Sequence, residues 1–155
     1  MNYTAIINSP IGHLGIKLNE QHSFITRIDF LDKKHALKTS TIPLIKKAIA
    51  ELEKYFKNPQ YIFTLPLQAN GTELQQKIWK AMQKIPVGKT LSYGELAEKI
   101  KTSPRVIGNA CRANSLPIFI PCHRIVAKNN LGGFAGAITG ELIDMKLWLL
   151  NHESI

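Results

Sequence analysis

Cysteine is scarce in this chain of 155 residues, which contains only Cys111 and Cys122. Two cysteines are too few for a disulfide framework. No CxxC pair or Cys/His cluster offers four ligands at the spacings typical of structural metal sites. We therefore expect reduced thiols, no bound metal and no cofactor.

Long hydrophobic runs are also lacking. No stretch of about 18 uninterrupted apolar residues is present. The first residues do not combine a basic start, an apolar run and a small-residue cleavage site. Because 45% of the residues are nevertheless hydrophobic, the chain can bury a sizeable core. We expect a soluble, intracellular protein with no membrane partner.

Acidic residues are rare in the middle of the chain. Between Lys77 and Lys128 there are ten Lys or Arg residues against Glu95 and Glu98, so this segment carries +8 of the net charge of +9. Such a concentration is typical both of a solvated basic surface and of a nucleic-acid-binding face. Charge alone leaves both interpretations open.

The N-terminal part has the periodicities of a small α/β domain. Apolar residues alternate through residues 1–31, which predicts an antiparallel meander. From Thr41 the period becomes helical and predicts an amphipathic helix that ends at Asn58-Pro59. The short apolar run Tyr61 to Leu65 is compatible with one more strand. These elements predict an α/β domain over residues 1–68.

The pattern changes after the turn-rich segment Pro66 to Gly71. Capping boxes begin at Thr72 and at Ser92, and Ser103 followed by Pro104 is typical of a third helix start. These signals predict a run of helices without hairpins between them.

Residues 69–155 are therefore predicted to form a mainly helical domain. Only Lys101 and Thr102 lie between its second and third helices, and Arg105 lies at the start of the third. A helix-turn-helix has this spacing, and so does an ordinary helical hairpin, so the pattern leaves both open. A last apolar helix is predicted from Leu142 to Leu150.

The stretch IPCHRIV, residues 120–126, places a thiol beside two nitrogen-bearing side chains. A cysteine is a useful nucleophile only as thiolate, which needs a base or a cation beside the sulfur. His123 and Arg124 are both candidates, although neighbours on a strand point apart unless the chain bends or a water bridges them. Cys111 faces inward on its helix and is predicted to be a core residue. Cys122 is the candidate nucleophile, because Pro, His and Arg are poor core neighbours.

This stretch also carries a family resemblance. Together with RANSLPI before it, SYGELA upstream and KLWLLNHE near the end, it closely resembles the O6-alkylguanine-DNA alkyltransferases, also called methylated-DNA–protein-cysteine methyltransferases. The resemblance is dense from Gly71 to Glu153, and INSPIG resembles the smaller domain of the family.

The resemblance has implications for fold and partners. It implies a ribonuclease-H-like α/β N-terminal domain, with a small antiparallel sheet plus a helix. That domain would be joined to a mainly α, winged-helix-like C-terminal domain with a helix-turn-helix, which binds DNA and carries the catalytic residues. It further implies a cytoplasmic monomer, nucleoid-associated in a bacterium, whose partner is double-stranded DNA containing O6-alkylguanine.

The catalytic roles of the family correspond to five residues. The resemblance implies that Cys122 takes the alkyl group from guanine O6 irreversibly, once per protein molecule. His123 matches the general base that acts through a water, and Glu153 the carboxylate that orients it. Asn114 matches the residue that fixes the active-site turn, and Tyr93 the one that assists the departing guanine. The sequence leaves open whether O4-alkylthymine is also a substrate.

The resemblance implies minor-groove binding with the damaged nucleotide flipped out of the base stack. Arg105 matches the arginine that fills the space left in the stack. The other candidate DNA contacts are Ser92, Lys101, Thr102, Ser103, Asn109, Arg112 and Arg124. The candidate contacts to the guanine, besides Tyr93, are Phe134, Ala135 and Gly136.

Other functions stay open at this level. A non-catalytic sensor of alkylated DNA with the same fold would flip the base without repairing it, but its known form lacks the acceptor cysteine. A helix-turn-helix regulator would bind a specific sequence and would be indifferent to loss of Cys122. A thiol hydrolase would turn over without losing activity. The basic helical segment and the cysteine motif together favour the alkyltransferase.

Overall fold

A computed structural model describes residues 2–128, 132 and 140–154 of the chain. The chain divides into two compact units, Met1–Asn70 and Gly71–Ile155. Each helix in this described part is too short or too polar to cross a membrane.

The first unit contains a three-stranded antiparallel sheet in the order β1-β2-β3, formed by Ala5–Ser9, Gly12–Leu18 and Ile25–Leu31. Alternate residues of the central strand, such as Leu14 and Ile16, are fully buried. This is the outcome expected when one face of an antiparallel sheet covers a core. The predicted meander is confirmed.

Helix α1, Pro43–Lys57, completes the core of the first unit. It begins at a proline, which suits the first turn of a helix because the missing N–H would have no partner there. The helix buries Ile45, Ala48, Leu52 and Tyr55 on one face, as its periodicity predicts.

The further strand with which the run Tyr61 to Leu65 is compatible is absent, because these residues form no strand. The backbone N–H of Thr64 instead donates to the buried carboxylate of Glu51 at 2.7 Å, and the Thr64 hydroxyl donates to the same carboxylate at 2.9 Å. The Glu51 side chain on α1 thus accepts the hydrogen bond that a neighbouring strand would otherwise accept. Hydrophobic periodicity along the sequence cannot reveal such a contact.

The second unit is mainly helical. Its helices are α2 Glu73–Gln83, α3 Tyr93–Ile100, α4 Pro104–Ala113 and α5 Glu141–Glu153. The predicted capping boxes at Thr72 and Ser92 are both present, and the Ser103 side chain accepts a hydrogen bond from the Val106 N–H. These three helix starts were therefore predictable from local sequence.

Helices α2 and α4 pack together around Trp79. Its indole is almost fully buried, and its Nε1–H donates to the Ala110 carbonyl at 2.9 Å. Ile78, Met82 and Ile107 are fully buried on the same two helices. An indole N–H taken out of water requires such a partner.

A two-residue parallel pair joins the helical region to the cysteine motif. Strand β4, Leu91–Ser92, pairs with β5, Ile125–Val126. A 3₁₀ turn, Cys122–Arg124, directly precedes β5, and α3 directly follows β4. The pairing therefore brings Tyr93, the first residue of α3, toward the turn that carries the cysteine.

Candidate active site and nucleic-acid interface

Cys122 lies in a turn and not in a strand. Pro121 precedes it with φ −79° and ψ 65°, and the Cys122 N–H donates to the Ile120 carbonyl at 2.7 Å. Since the motif is bent here, Cys122 and His123 are not forced to point to opposite sides, as they would be on a strand. The Cys122 residue is 4% exposed.

Asn114 holds the loop that leads from α4 to the cysteine. Its Oδ1 accepts from the Leu116 N–H at 2.9 Å, and its Nδ2 donates to the Ile120 carbonyl at 3.0 Å. Both ends of the loop are thereby tied to one amide side chain, which places the Cys122 backbone.

Burial governs the pKa of the Cys122 thiol. Removal from water raises it to about 11, while a hydrogen bond from the Asn114 side chain and the charge of Lys146 lower it. The second thiol, Cys111, is partly exposed on α4, and burial raises its pKa to about 12. Neither sulfur is a thiolate at neutral pH without help.

His123 and Glu153 form a buried pair. The His123 ring is fully buried, and its Nε2 lies 2.8 Å from Oε2 of Glu153. Its Nδ1 is buried without a hydrogen-bond partner among the described residues. Burial lowers the pKa of His123 more strongly than the Glu153 carboxylate raises it, so the ring is neutral and able to take a proton.

Helix α5 is longer than predicted. It continues past Leu150 to Glu153, so the carboxylate is not on a solvated tail but on the last turn of a packed helix, 2% exposed. The apolar periodicity that predicted the helix ends before its polar last turn, which explains the difference.

Arg124 corrects a prediction. We expected a DNA contact, but its guanidinium is buried and is held within the protein. Its Nε and Nη2 donate to the two carboxylate oxygens of Glu153 at 2.8 and 3.0 Å, and its Nη1 donates to the Ile85 carbonyl at 2.7 Å. A guanidinium engaged in this bidentate pair is not available to a phosphate, so Arg124 is not retained as a DNA contact.

The other candidate DNA contacts cluster around α3 and α4. Lys101 closes α3 in the left-handed conformation, φ 65°, and Arg105 is the second residue of α4. The exposed candidates are Lys101, Ser103, Arg105, Asn109 and Arg112. Ser92 and Thr102 are partly exposed, and Ser92 also caps α3.

Tyr93 lies beside Gly132. A Cβ added to Gly132 would lie 3.0 Å from the Tyr93 ring, 3.1 Å from its hydroxyl and 3.1 Å from the Ala127 nitrogen. Phe134, Ala135 and Gly136, which we predicted to contact the guanine, lie outside the described residues.

The Gly132→Ala substitution is therefore expected to slow the reaction of the site. At φ 74° alanine is strained by about 1–3 kcal/mol, and its methyl group would also displace the Tyr93 ring. Gly140→Ala is the matched control, because Gly140 also has a positive φ, 91°, but its added Cβ meets no described atom within 4 Å. Single-turnover rates of the alkyl transfer that the resemblance implies, measured for the two variants at equal folded fraction, test whether crowding at Tyr93 and Ala127 slows the reaction. Equal rates would contradict it.

Acidification is expected to destabilise the protein through His123. An unfolded histidine titrates near 6.5 and the folded one lower. As the pH falls through 6.5, the unfolded chain therefore binds a proton that the folded chain does not, and the free energy of unfolding decreases. Urea midpoints at about pH 7.5 and about pH 5.5 should differ more in the wild type than in His123→Gln. An unchanged difference would argue against a neutral buried ring.

Sequence reasoning missed Lys146. It lies inside the apolar run of α5, is fully buried and donates from Nζ to the Ile125 carbonyl at 2.6 Å. A lysine that interrupts an apolar helix was the available signal. Among the described residues, no group of three or more His, Cys, Asp or Glu side chains is arranged to hold a metal ion.

Comparisons with known proteins identify the family of the chain. Residues 2–69 match the family model of the 6-O-methylguanine DNA methyltransferase ribonuclease-like domain, and residues 73–155 match that of the DNA-binding domain. The constitutive methylated-DNA–protein-cysteine methyltransferase of Bacillus subtilis is 36% identical over 164 residues, covering 100% of this chain and 97% of the relative. The enzyme of Haemophilus influenzae is 36% identical, with 99% and 87% covered.

Solved structures are similar as well. The O6-methylguanine methyltransferase of Mycobacterium tuberculosis superposes with a TM-score of 0.80 at 32% identity, covering 96% of this chain and 90% of that one. The same organism's OGT, solved in complex with DNA, gives a TM-score of 0.78 at 32% identity with 96% and 91% covered. The chain therefore belongs to the 6-O-methylguanine DNA methyltransferase family.

Proposed function

We propose that this protein repairs DNA by transferring a methyl or other alkyl group from guanine O6 irreversibly to its own Cys122. The observation that carries the proposal is a buried cysteine next to a buried histidine, whose Nε2 is held by Glu153 and whose Nδ1 has no partner among the described residues. A thiol in such surroundings gains reactivity only when a base takes its proton.

The reaction is one displacement. His123 accepts the Cys122 proton at Nδ1 through a water, and the thiolate attacks the alkyl carbon. The S–C bond forms as the C–O6 bond breaks, and the electron pair of that bond remains on guanine O6. Tyr93 donates a proton to the purine, because guanine leaves poorly as an anion. The thioether formed on Cys122 is stable, so each protein molecule reacts once.

The carboxylate of Glu153 orients the base. It fixes Nε2 of His123, and Arg124 fixes the carboxylate in turn through two hydrogen bonds. With Nε2 engaged, Nδ1 is the ring nitrogen left to face the thiol proton. Asn114 holds the backbone on which Cys122 is placed.

Helices α3 and α4 would form the DNA-binding helix-turn-helix. We infer that α4 enters the minor groove, that Arg105 fills the space of the flipped nucleotide, and that exposed Lys101, Asn109 and Arg112 contact the backbone. Minor-groove contacts discriminate poorly among sequences, which suits a protein that inspects all of them. The phosphate contacts would make the affinity fall steeply with salt.

The domain boundaries, the contacts to the guanine and the cellular location are part of the same proposal. Residues 1–68 would be the N-terminal α/β domain, and residues 69–155 the DNA-binding and catalytic domain. Phe134, Ala135 and Gly136 would contact the flipped guanine, through backbone groups in particular. We place the protein, as a monomer, where its substrate is, in the cytoplasm, and on the nucleoid if the organism is a bacterium.

Intact mass and peptide mapping test the proposal. The protein is mixed with one equivalent of duplex containing a single O6-methylguanine, with an unmodified duplex as control. We expect a gain of one methyl group on the Cys122 peptide, stopping at one per protein. Lesion-selective binding without mass gain would instead identify a non-catalytic sensor. No gain and no selectivity would refute both functions.

A further inference from the structure

Ile118 has a backbone conformation that isoleucine rarely adopts. It lies in the loop from α4 to the cysteine, with φ 76°. Glycine reaches this left-handed region freely, whereas a β-branched residue there is strained. The other non-glycine residues with positive φ in the described part of the chain are His22 and Lys101, and neither is β-branched. Ile118 therefore needs surroundings that hold it in this conformation.

Hydrogen bonds close the loop on both sides of Ile118. The Ile120 N–H donates to the Leu116 carbonyl at 2.8 Å. The Asn114 side chain accepts from the Leu116 N–H at 2.9 Å and donates to the Ile120 carbonyl at 3.0 Å. Leu116 and Ile120 are thus joined to each other and to one amide, and Ile118 lies midway between them. The chain turns back over residues 116–120, and tight turns often require one residue with a positive φ.

Burial of the side chain offsets the strain in the backbone. Leu116 is fully buried, and Ile118, Phe119 and Ile120 are 3%, 4% and 3% exposed. Apolar surface removed from water stabilises the folded loop, and Ile118 contributes nearly all of its side chain to this burial. A glycine would adopt the same φ without strain, but it would fill none of this space and would also adopt other conformations. The isoleucine therefore anchors the turn in the core.

The same loop places the reactive cysteine. The Ile120 carbonyl, which accepts from Asn114, also accepts from the Cys122 N–H at 2.7 Å. The base is held from a different element, because Nε2 of His123 is bound by Glu153 of α5. The loop thus sets the position of the sulfur, while α5 sets the orientation of the imidazole. A shift of the loop alone would change the geometry between the two groups.

We propose that Ile118 is a positioning residue for the alkyl transfer. Its left-handed backbone and its buried side chain together keep residues 114–120 in one conformation, in which His123 reaches the sulfur of Cys122 through a water. The inference rests on the proposed function, because the sulfur that is positioned is the proposed alkyl acceptor. Groups held in the reactive geometry react faster than groups that sample many geometries. A loop that leaves this conformation should therefore slow the reaction and not the binding of DNA.

The strain at position 118 is tested with a pair of variants. Ile118→Gly and Ile118→Ala both remove the buried side chain, but only alanine remains strained at a positive φ. We expect the glycine variant to have the higher urea midpoint. At Lys80, an exposed residue of α2, the order of the glycine and alanine variants should be reversed, because glycine is the poorer residue in a helix. A higher midpoint for alanine at position 118 would overturn the proposal.

The positioning role is tested by single-turnover transfer at several concentrations of the lesion duplex and at equal folded fraction. In Ile118→Gly we expect the maximal rate to fall by roughly 10²-fold, the scale of a misplacement of about 1 Å, while the duplex concentration that gives half the maximal rate is unchanged. Ile118→Val keeps a buried β-branched side chain and should retain most of the rate. Ile78→Ala removes a buried side chain from α2 and should react like the wild type. Equal maximal rates in Ile118→Gly and Ile78→Ala would overturn the proposal.

Amide hydrogen exchange in the wild type covers the case in which Ile118→Gly does not fold, as judged by circular dichroism. The Ile120 and Cys122 amides should be protected as strongly as that of Met82, which lies in the core. Fast exchange at the two loop amides would overturn the proposal, because the loop would then not be held in one conformation. Methyl uptake from the lesion duplex is measured in parallel. Its absence from a wild type with protected loop amides would refute the proposed function and not the held loop.

Discussion

Cys122→Ser is expected to abolish alkyl transfer and to leave binding to the lesion duplex intact. A serine hydroxyl at this 4%-exposed position is far harder to deprotonate than a thiol, and His123 is too weak a base to do so. Loss of a nucleophile that works as a unit with its base lowers rates by on the order of 10⁶-fold. Single-turnover transfer of a labelled methyl group, with binding measured in parallel, checks both parts.

The second cysteine provides the matched control. Cys111→Ser removes a thiol of the same unit that burial keeps protonated, and it should still accept one methyl group on Cys122. Transfer that persists in Cys122→Ser and disappears in Cys111→Ser would reassign the acceptor. Loss of transfer in both variants, each folded, would mean that the two thiols act together.

Among the variants of the active site, Glu153→Gln is expected to lower the free energy of unfolding the most. The change leaves the buried Arg124 guanidinium without its anion, and removing one partner of a buried ion pair costs about 3–5 kcal/mol. It also removes the charge that holds His123. Urea unfolding should show the decrease in the free energy of unfolding, and transfer should slow even at a folded fraction equal to that of the wild type.

Two comparisons make this prediction specific. Glu98→Gln changes an exposed acid on α3 and should alter stability by less than about 0.5 kcal/mol. Adding Arg124→Met to Glu153→Gln should restore part of the lost stability, because no unpaired charge is then buried. If the double variant is as unstable as the sum of both single changes, the pair is not coupled.

Structural features that depend only on residues close together in the sequence were predictable. The capping boxes at Thr72 and Ser92 need only residues three positions apart, and the first sheet needs only alternation. The proximity of Cys122, His123 and Glu153 was predicted through the family resemblance, because residues 30 positions apart share no local pattern.

The errors arose where tertiary contacts decide the outcome. Arg124 has the sequence signature of a surface cation, yet Glu153 and the Ile85 carbonyl lie close enough to bury it. Lys146 was not singled out from the sequence, because only the packed structure shows that its Nζ reaches the Ile125 carbonyl. Charge counted along a sequence therefore overestimates the charge that faces DNA, since the basic segment loses Arg124 to the interior.

The placement of Trp79 has an optical consequence. Both tryptophans of the chain, Trp79 and Trp148, lie in the unit Gly71–Ile155. The unit Met1–Asn70 contains tyrosines but no tryptophan. The buried, hydrogen-bonded Trp79 should emit at short wavelength in the folded state and shift to the red when α2 and α4 separate. Tryptophan emission excited at the red edge of the absorbance band thus reports the unfolding of the unit Gly71–Ile155 alone. Circular dichroism reports the unfolding of both units.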